Sequence, residues 1–328
     1  MKNQLLASLA VIIVLTAISV NVGNASSQAS LTLQSSGVVQ ARTGSTTFNG
    51  IWLFQPDLTT AMLQSCVANQ IFNIFLSVGY PNPSQYPSLT GIVPSTETGF
   101  HPTVSQISDD LALLASVDSR LKLWAWFGTY GYSGGNEGHQ YGQVDISTSG
   151  NRNALIAVLV SLAHDYGFYG VQDDTEDYTT NSLTSSGQWG SWQVAFWNAE
   201  ATACHAVGLK FAPFLEAGWS NFNTVYVPQF TGMDYLIISA MMGQTQSFWT
   251  TQIAEFLTHT TLPVIIDLEE DHSGDITTQI SWVDALPASS YSNIVGFSLY
   301  CWNGLVGQSS DWSSWSSWTT KNLSPSGY

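Results

Sequence analysis

Charge is what this sequence has least of. Only 9% of its 328 residues are Asp, Glu, Lys or Arg, and 7 basic residues stand against 23 acidic ones, for a formal charge of −16. A chain so poor in cations has little with which to neutralise a phosphate backbone, which argues against nucleic acid as a partner. Cysteine is nearly as scarce. Cys66, Cys204 and Cys301 form no C-x-x-C pair, so at most one disulfide can form; a Cys66–Cys301 bridge and buried free thiols are both open. The six histidines are scattered without an H-x-x-x-H pair, so a zinc centre is not expected, and no motif asks for a cofactor. A Walker loop, a G-x-S-x-G elbow and a Ser-His-Asp pattern are also missing, which removes the commonest phosphoryl- and acyl-transfer chemistries.

One long apolar run is present, at the start. Met1-Lys2-Asn3-Gln4 precedes the apolar stretch 5–20 and a small, polar stretch from 21 to 30, the layout of a secretory signal cut after Ala25 or Ala29. An uncleaved membrane anchor is the alternative reading, although the run is slightly short for a span. Residues 1–29 are thus expected to be a signal peptide and 30–48, rich in Ser, Thr, Gln and Gly, a linker. With so few carboxylates to protonate, the chain is expected to suit an acidic or hot extracellular setting, with a flat stability profile from about pH 2 to 7.

From residue 49 onward, short apolar runs alternate with longer helical stretches. The runs are 50–54, 71–79, 122–129, 168–176, 209–218, 234–242, 262–270 and 293–302; the first helix is expected over 58–69 behind an Asp57 cap. Pro213 weakens the fifth run, because proline lacks a ladder donor. Strand-then-helix units argue for a parallel sheet, and eight of them close a barrel. An open doubly wound sheet would place a Gly-rich loop after its first strand, where Gln55-Pro56-Asp57 stands. The expectation is therefore a single α/β (β/α)8 TIM barrel over 49–328.

Strand alternation then fixes which side chains share a face. In the fourth run, Val171 points one way while Gly170, Gln172, Asp174 and Glu176 point the other. Over all runs, the lumen phase gathers Trp52, Phe54, Asn73, Ser77, Trp126, Tyr130, Glu216, Ser239, Met241, Asp267, Glu269, Ser298, Tyr300 and Trp302, with Tyr80 a further candidate beyond the second run. The complementary phase (Ile51/Leu53, Ile74/Leu76/Val78, Val264/Ile266/Leu268, Val295/Phe297/Leu299) suits packing on helices. Ligands of such barrels sit at the carboxyl ends of the strands, so carboxylates ringed by aromatics are expected there. Glycosidic bond cleavage needs this arrangement: one protonated carboxyl for the leaving oxygen, one ionised carboxylate, and flat apolar rings for the sugar faces. Glu176, Asp174, Glu269 and Asp267 are the catalytic candidates. Trp52, Trp126, Tyr130, Gln172, Glu216, Tyr300 and Trp302 are the substrate-binding ones.

The fourth run also resembles the family-eighteen chitinase signature D-G-x-D-x-D-x-E. Tyr169, Gly170, Gln172, Asp174 and Glu176 fall on its five fixed positions, and Gly170, Asp174 and Glu176 match. The resemblance implies Glu176 as the acid and Asp174 as the group that orients the substrate's acetamido nucleophile. Trp302 is similar to the Trp that floors that family's site. Tyr169 and Gln172 replace acidic residues of the motif, and Ser239-Ala-Met-Met242 lacks the family's Tyr. A second large group of glycosidase barrels carries its two Glu at the ends of strands four and seven, where Glu176 and Glu269 stand, although Thr175 takes the place of that group's Asn.

Three readings follow. The first is a secreted, monomeric glycoside hydrolase acting on a polysaccharide or oligosaccharide. The second is a non-catalytic carbohydrate-binding barrel. The third is a hydrolase holding Ca²⁺ or Mg²⁺ on Asp173, Asp174, Glu176 and Asp177.

Overall fold

The computed structural model describes residues 48–54, 57–79, 104–128, 140–141, 144–174, 188–217, 220–239, 245–269, 276–286 and 293–300. The expected signal segment, most of the expected linker and the C-terminal tail lie outside them. Chain order runs β1 (Phe48–Leu53), α1 (Thr60–Ala68), β2 (Asn73–Gly79), α2 (Val104–Val117), β3 (Lys122–Gly128), β4 (Gln140–Tyr141), β5 (Val144–Asp145), α3 (Ser149–Asp165) and β6 (Gly170–Asp174). It continues with α4 (Gln188–Ala206), β7 (Lys210–Glu216), α5 (Ser220–Val225), β8 (Leu236–Ser239), α6 (Gln246–Leu257), β9 (Val264–Glu269), α7 (Ile276–Asp284) and β10 (Ile294–Tyr300).

Eight parallel strands close into a barrel in the order β1, β2, β3, β6, β7, β8, β9, β10, with β10 paired back onto β1. This is the α/β TIM barrel that the alternation predicts. β4 and β5 form a small antiparallel hairpin in the connection after β3, and α5 follows β7; the sequence reading marked neither. Pro213 lies inside β7, opposite Asp173. The two faces of the barrel wall separate as the alternation requires. Ile51, Leu53, Ile74, Leu76, Val171, Ile266, Leu268, Phe297 and Leu299 pack in the layer between strands and helices. The expectation for Val295 is corrected: the register shifts between Ile294 and Gly296, and Val295 packs on the lumen cluster instead.

Local signals set where the helices begin and end. Threonine hydroxyls at 59, 148 and 245 accept from Met62, Asn151 and Phe248 backbone N–H groups at 3.2, 3.3 and 3.2 Å, capping α1, α3 and α6. Thr59 therefore holds the role expected of Asp57. The return turns share one geometry. Ile71, Phe168 and Leu209 N–H groups reach back to the Cys66, Ala163 and Cys204 carbonyls at 2.9 Å. The residue before each has positive φ, namely Gln70 (60°), Gly167 (81°) and Gly208 (84°). Glycine occupies that left-handed position freely; Gln70 is held there with its carbonyl accepting from Asn49 Nδ2 at 3.0 Å.

The lumen is filled by rings. Phe48, Trp52, Phe75, Trp124, Trp126, Phe214, Ala212, Ile237 and Ile265 form one buried cluster, where barrels of this type more often carry branched aliphatics. Trp124 packs against Phe48, Phe75, Tyr169 and Tyr235 at centroid distances of 5.8, 5.6, 5.3 and 6.3 Å, and its indole N–H donates to Asn73 Oδ1 at 3.0 Å. Gly170 is required by this packing, since a Cβ there would meet Trp124 at 2.6 Å and the Lys210 carbonyl at 2.8 Å.

The outer face of β6 carries an arrangement that the sequence reading did not foresee. Asp173 is fully buried between strand and helix and accepts the Trp197 indole N–H at 2.7 Å. Gln193, Trp197, Glu200 and Cys204 follow one another on α4 at intervals of four, three and four, so they share a face, and all four are 0% exposed. Burial first, then the charge of Asp173 and a hydrogen bond to it, push the Glu200 carboxyl well above its ordinary range. Two buried carboxyls so placed are not tolerated with both ionised, and burial favours the proton on Glu200. Cys66 and Cys204 are free and buried, so Cys66 does not make the bridge to Cys301 that was left open. Burial pushes the Cys66 thiol up to about 12 and raises Cys204 as well.

Candidate active site

Asp174 ends β6, Glu216 ends β7, and Asp267 and Glu269 lie in the last half of β9. All four positions belong to the lumen phase at the carboxyl end of the barrel. Asp174, Glu216 and Asp267 are 6%, 3% and 1% exposed, so each is held inside the mouth. A carboxylate so deeply placed must be hydrogen-bonded, and two of the donors are the lumen indoles. Trp126 Nε1 donates to Asp174 Oδ2 at 3.1 Å, and Trp52 Nε1 donates to Asp267 Oδ1 at 2.9 Å. The Ser298 hydroxyl, directly across the ladder from Asp267, donates to the same Oδ1. Two donors on one oxygen hold the Asp267 carboxyl in one orientation.

The rings that hold these carboxylates also hold one another. Trp52 and Trp126 meet edge to face at 4.9 Å and 86°, and Tyr300 stands 6.1 and 6.2 Å from them, again edge-on. Phe54 tilts against Trp126 at 5.3 Å and Phe214 meets Trp52 at 5.9 Å. Edge-to-face contacts of this kind fix ring orientation beyond what burial alone does. Tyr300 and Phe54 are half-buried, which leaves part of their surface available at the mouth. Gln172, one step inward from Asp174 on the same face, is fully buried, and neither its amide nitrogen nor its oxygen has a hydrogen-bond partner.

No family model matches the chain, and no curated protein matches it by sequence. Solved structures do match it. The barrel has the fold of family GH18 chitinases. A GH18 chitinase from Cycas revoluta, solved with allosamidin, superposes with a TM-score of 0.54 at 10% identity, covering 85% of this chain and 100% of that one. A chitinase from Chromobacterium violaceum gives 0.56 at 13% identity over 83% and 98%. A chitinase-like agglutinin from Robinia pseudoacacia gives 0.55 at 9% identity over 82% and 98%.

Within this fold the structure brings Trp52, Trp126, Gln172, Asp174, Glu216, Asp267 and Tyr300 to one end of the lumen. Glu269 closes β9 in register with Tyr300; its backbone place is described and its side chain is not. Glu176, Tyr80, Tyr130 and Trp302 lie outside the described residues. Two members of the acidic stretch are redistributed. Asp173 faces the helices on the opposite side of the wall from Asp174, so it cannot join Asp174 and Glu176 around one cation. Tyr169 sits at the amino end of β6, packed on Trp124 with the Lys122 ammonium 5.6 Å from its ring centre. It belongs to the barrel floor, far along the strand from the mouth. Among the described residues no group of three or more His, Cys, Asp or Glu could hold a metal ion.

Sequence reasoning missed Phe214 and the two indole–carboxylate bonds. Phe214 was legible in principle, being two residues from Glu216 on the same face. The bonds were not, because nothing in strand phase says that Trp52 leans toward β9 and Trp126 toward β6. Trp52→Phe tests the first bond: it keeps a ring but leaves Asp267 one donor short. A hydrogen bond to a charged group contributes about 1.5–3 kcal/mol, and urea unfolding is expected to show a loss of that order. A loss no larger than about 0.5 kcal/mol would mean that the indole N–H does not support Asp267.

Proposed function

We propose that the chain is a secreted glycoside hydrolase that cleaves glycosidic bonds of a polysaccharide, freed of residues 1–29 and acting as a monomer. The observation that carries this reading is the set of buried carboxylates Asp174, Glu216 and Asp267 at the carboxyl ends of the strands, with Asp174 and Asp267 held by indoles, in a chain where charge is rare. The fold shared with chitinases agrees with it. In this mechanism Glu176, two residues beyond Asp174, donates its proton to the glycosidic oxygen as the bond from that oxygen to the anomeric carbon breaks. A second ionised carboxylate, Glu269 or Asp267, stabilises the positive charge on the ring and either bonds to the anomeric carbon or takes a proton from the attacking water. Asp174 would orient the substrate beside the acid. Chitooligosaccharides, which the Cycas revoluta enzyme binds, are the first substrates to try.

Reducing-sugar release from a polysaccharide panel tests the reading, with Glu176→Gln beside the wild type. The expected outcome is turnover in the wild type and a loss of at least about 100-fold in the variant, with binding retained. The agglutinin among the structural neighbours gives a second reading its footing, that of a carbohydrate-binding barrel without turnover. Binding to a polymer with no release of reducing ends in either protein would select that one.

A further inference from the structure

The floor of the barrel, at the amino ends of the strands, carries a pattern that has no part in the mouth. Lys122 opens β3, Tyr169 immediately precedes β6, Lys210 opens β7 and Tyr235 immediately precedes β8. These four strands are neighbours in the barrel, so cation and ring alternate along one arc of the floor. The members of the arc are held together. The Lys122 ammonium lies 5.6 Å from the Tyr169 ring centre, and the Lys210 backbone N–H donates to the Tyr169 carbonyl at 3.2 Å. Trp124, fully buried beneath them, meets the Tyr169 and Tyr235 rings at 5.3 and 6.3 Å.

Unlike the mouth carboxylates, this arc faces water. Tyr169 is 37% exposed and the Lys210 side chain 43%, while Lys122 and Tyr235 are half-buried. The acids of the floor are already engaged. Asp118 pairs with Arg120, whose guanidinium also lies over the Phe72 ring, and Asp234 accepts from both Lys210 and His205 at 2.7 Å. The Lys122 ammonium, by contrast, has no ion pair or hydrogen bond among the described residues, and neither phenol hydroxyl of the arc has a hydrogen bond. Burial, and then the neighbouring Tyr169 and Asp234, push the Tyr235 hydroxyl above its ordinary range, so it remains a donor. In a chain of formal charge −16, an ammonium and two hydroxyls thus stand together at the surface with donors to spare.

We propose that this arc binds an acidic oligosaccharide through its uronate carboxylates. The site lies at the opposite end of the barrel from the mouth, so it stands whether or not the mouth cleaves. An exposed tyrosine offers an apolar face to a pyranose ring and a hydroxyl to its polar edge. A uronate carries a single charge per sugar at neutral pH, which matches the one ammonium left unmatched. A phosphate or a densely sulfated chain is better met by the guanidinium fork, and Arg120 is committed to Asp118; Asp234 inside the arc would also oppose denser charge. Neighbouring strands lie about 4.8 Å apart, which sets the entries of β3 and β7 about 10 Å apart, within reach of one short chain. A two-fold pairing of this chain with itself would bring arc against arc and like charge against like, so a second copy is a poor occupant.

Calorimetry at about pH 7 in about 150 mM NaCl, where a Debye length of about 8 Å screens the chain's distant carboxylates, provides the test. It compares a galacturonate hexamer with the methyl ester of the same hexamer, which keeps the rings and removes the charge. The free acid is expected to bind the wild type at least about tenfold more tightly than the ester. Lys122→Gln is expected to weaken the acid about fivefold, the upper size of an exposed ion pair. Tyr169→Phe keeps the packing on Trp124 and removes only the hydroxyl; a loss of at least about twofold is expected. Equal binding of acid and ester, binding of neither, or full affinity in Lys122→Gln overturns the proposal. Tighter binding of a sulfated hexamer than of the uronate overturns it too, by giving the floor to another anion. Circular dichroism confirms that each variant is folded, and if Lys122→Gln is not, the ester comparison and Tyr169→Phe decide.

Discussion

Gly296→Ala is expected to yield no folded protein. Gly296 lies in β10 opposite Phe48 of β1, at the seam where the last strand closes on the first, and next to the register shift in the β10–β9 ladder. A Cβ built there would fall 1.6 Å from the Phe48 carbonyl oxygen and 2.5 Å from its carbonyl carbon. The obstacle is backbone, so no side-chain rotation relieves it. Accommodation requires β10 and β1 to separate, which would break the ladder that runs from Phe48 to Ile51 and expose two unpaired edges. Overpacking a core ordinarily costs about 1–3 kcal/mol. Opening the seam adds the lost ladder and the exposed lumen, enough to exhaust a typical stability of about 5–15 kcal/mol. Soluble yield, far-ultraviolet circular dichroism and thermal melting check this. Gly150→Ala is the control: nothing lies within 4 Å of its would-be Cβ, and alanine in the first turn of α3 should raise stability by about 0.4–1 kcal/mol. A Gly296→Ala protein that melts like the wild type would show that β10 meets β1 in another register.

Stability should fall as pH rises from acid to neutral, and Glu200 should be the cause. Its carboxyl titrates well above the ordinary glutamate range in the folded state, through burial and then the neighbouring Asp173. The folded protein thus keeps a proton that the unfolded chain releases near the ordinary value. The stabilisation is complete below that value and is lost as pH climbs toward the folded-state value. For one proton the slope reaches about 1.4 kcal/mol per pH unit. The groups facing Glu200 are Asp173 and the Trp197 indole, with Cys204 on the same helix face and Asp234 beyond it; no cation is among them. Glu200→Gln, which keeps the shape and an N–H for Asp173, should flatten the melting temperature between about pH 5 and 7. An unchanged slope in the variant would move the cause elsewhere. The same melts decide between the flat profile expected from composition and the tilt expected from one buried acid.

The barrel was legible because its signals are local and repeated: apolar runs at strand spacing, helical stretches between them, and alternation that sorts Ile51 from Trp52 and Ile266 from Asp267. The place of the mouth carboxylates followed from the same phase. Val295 defeated that logic, since a register shift resets alternation and leaves no mark in composition. Asp173 defeated it differently. Its neighbours in sequence are acidic and its partner Glu200 is 27 positions away, so an acidic cluster along the chain became two sites on opposite sides of one wall. Tyr169 and Gly170, read as fragments of a catalytic signature, prove to have structural reasons in the ring of Trp124.

Trp52 and Trp126 belong at once to the packing that fills the barrel and to the hydrogen bonds that aim its acids. A change at either is felt twice, once in the packing of the lumen and once in the orientation of a carboxylate, so neither can drift without penalty on both counts. Variation is thereby steered outward, to segments that neither seal the wall nor orient an acid. A barrel built this way can have nearly all of its rim rewritten and keep the same buried centre, much as an instrument keeps its tuning while its case is replaced.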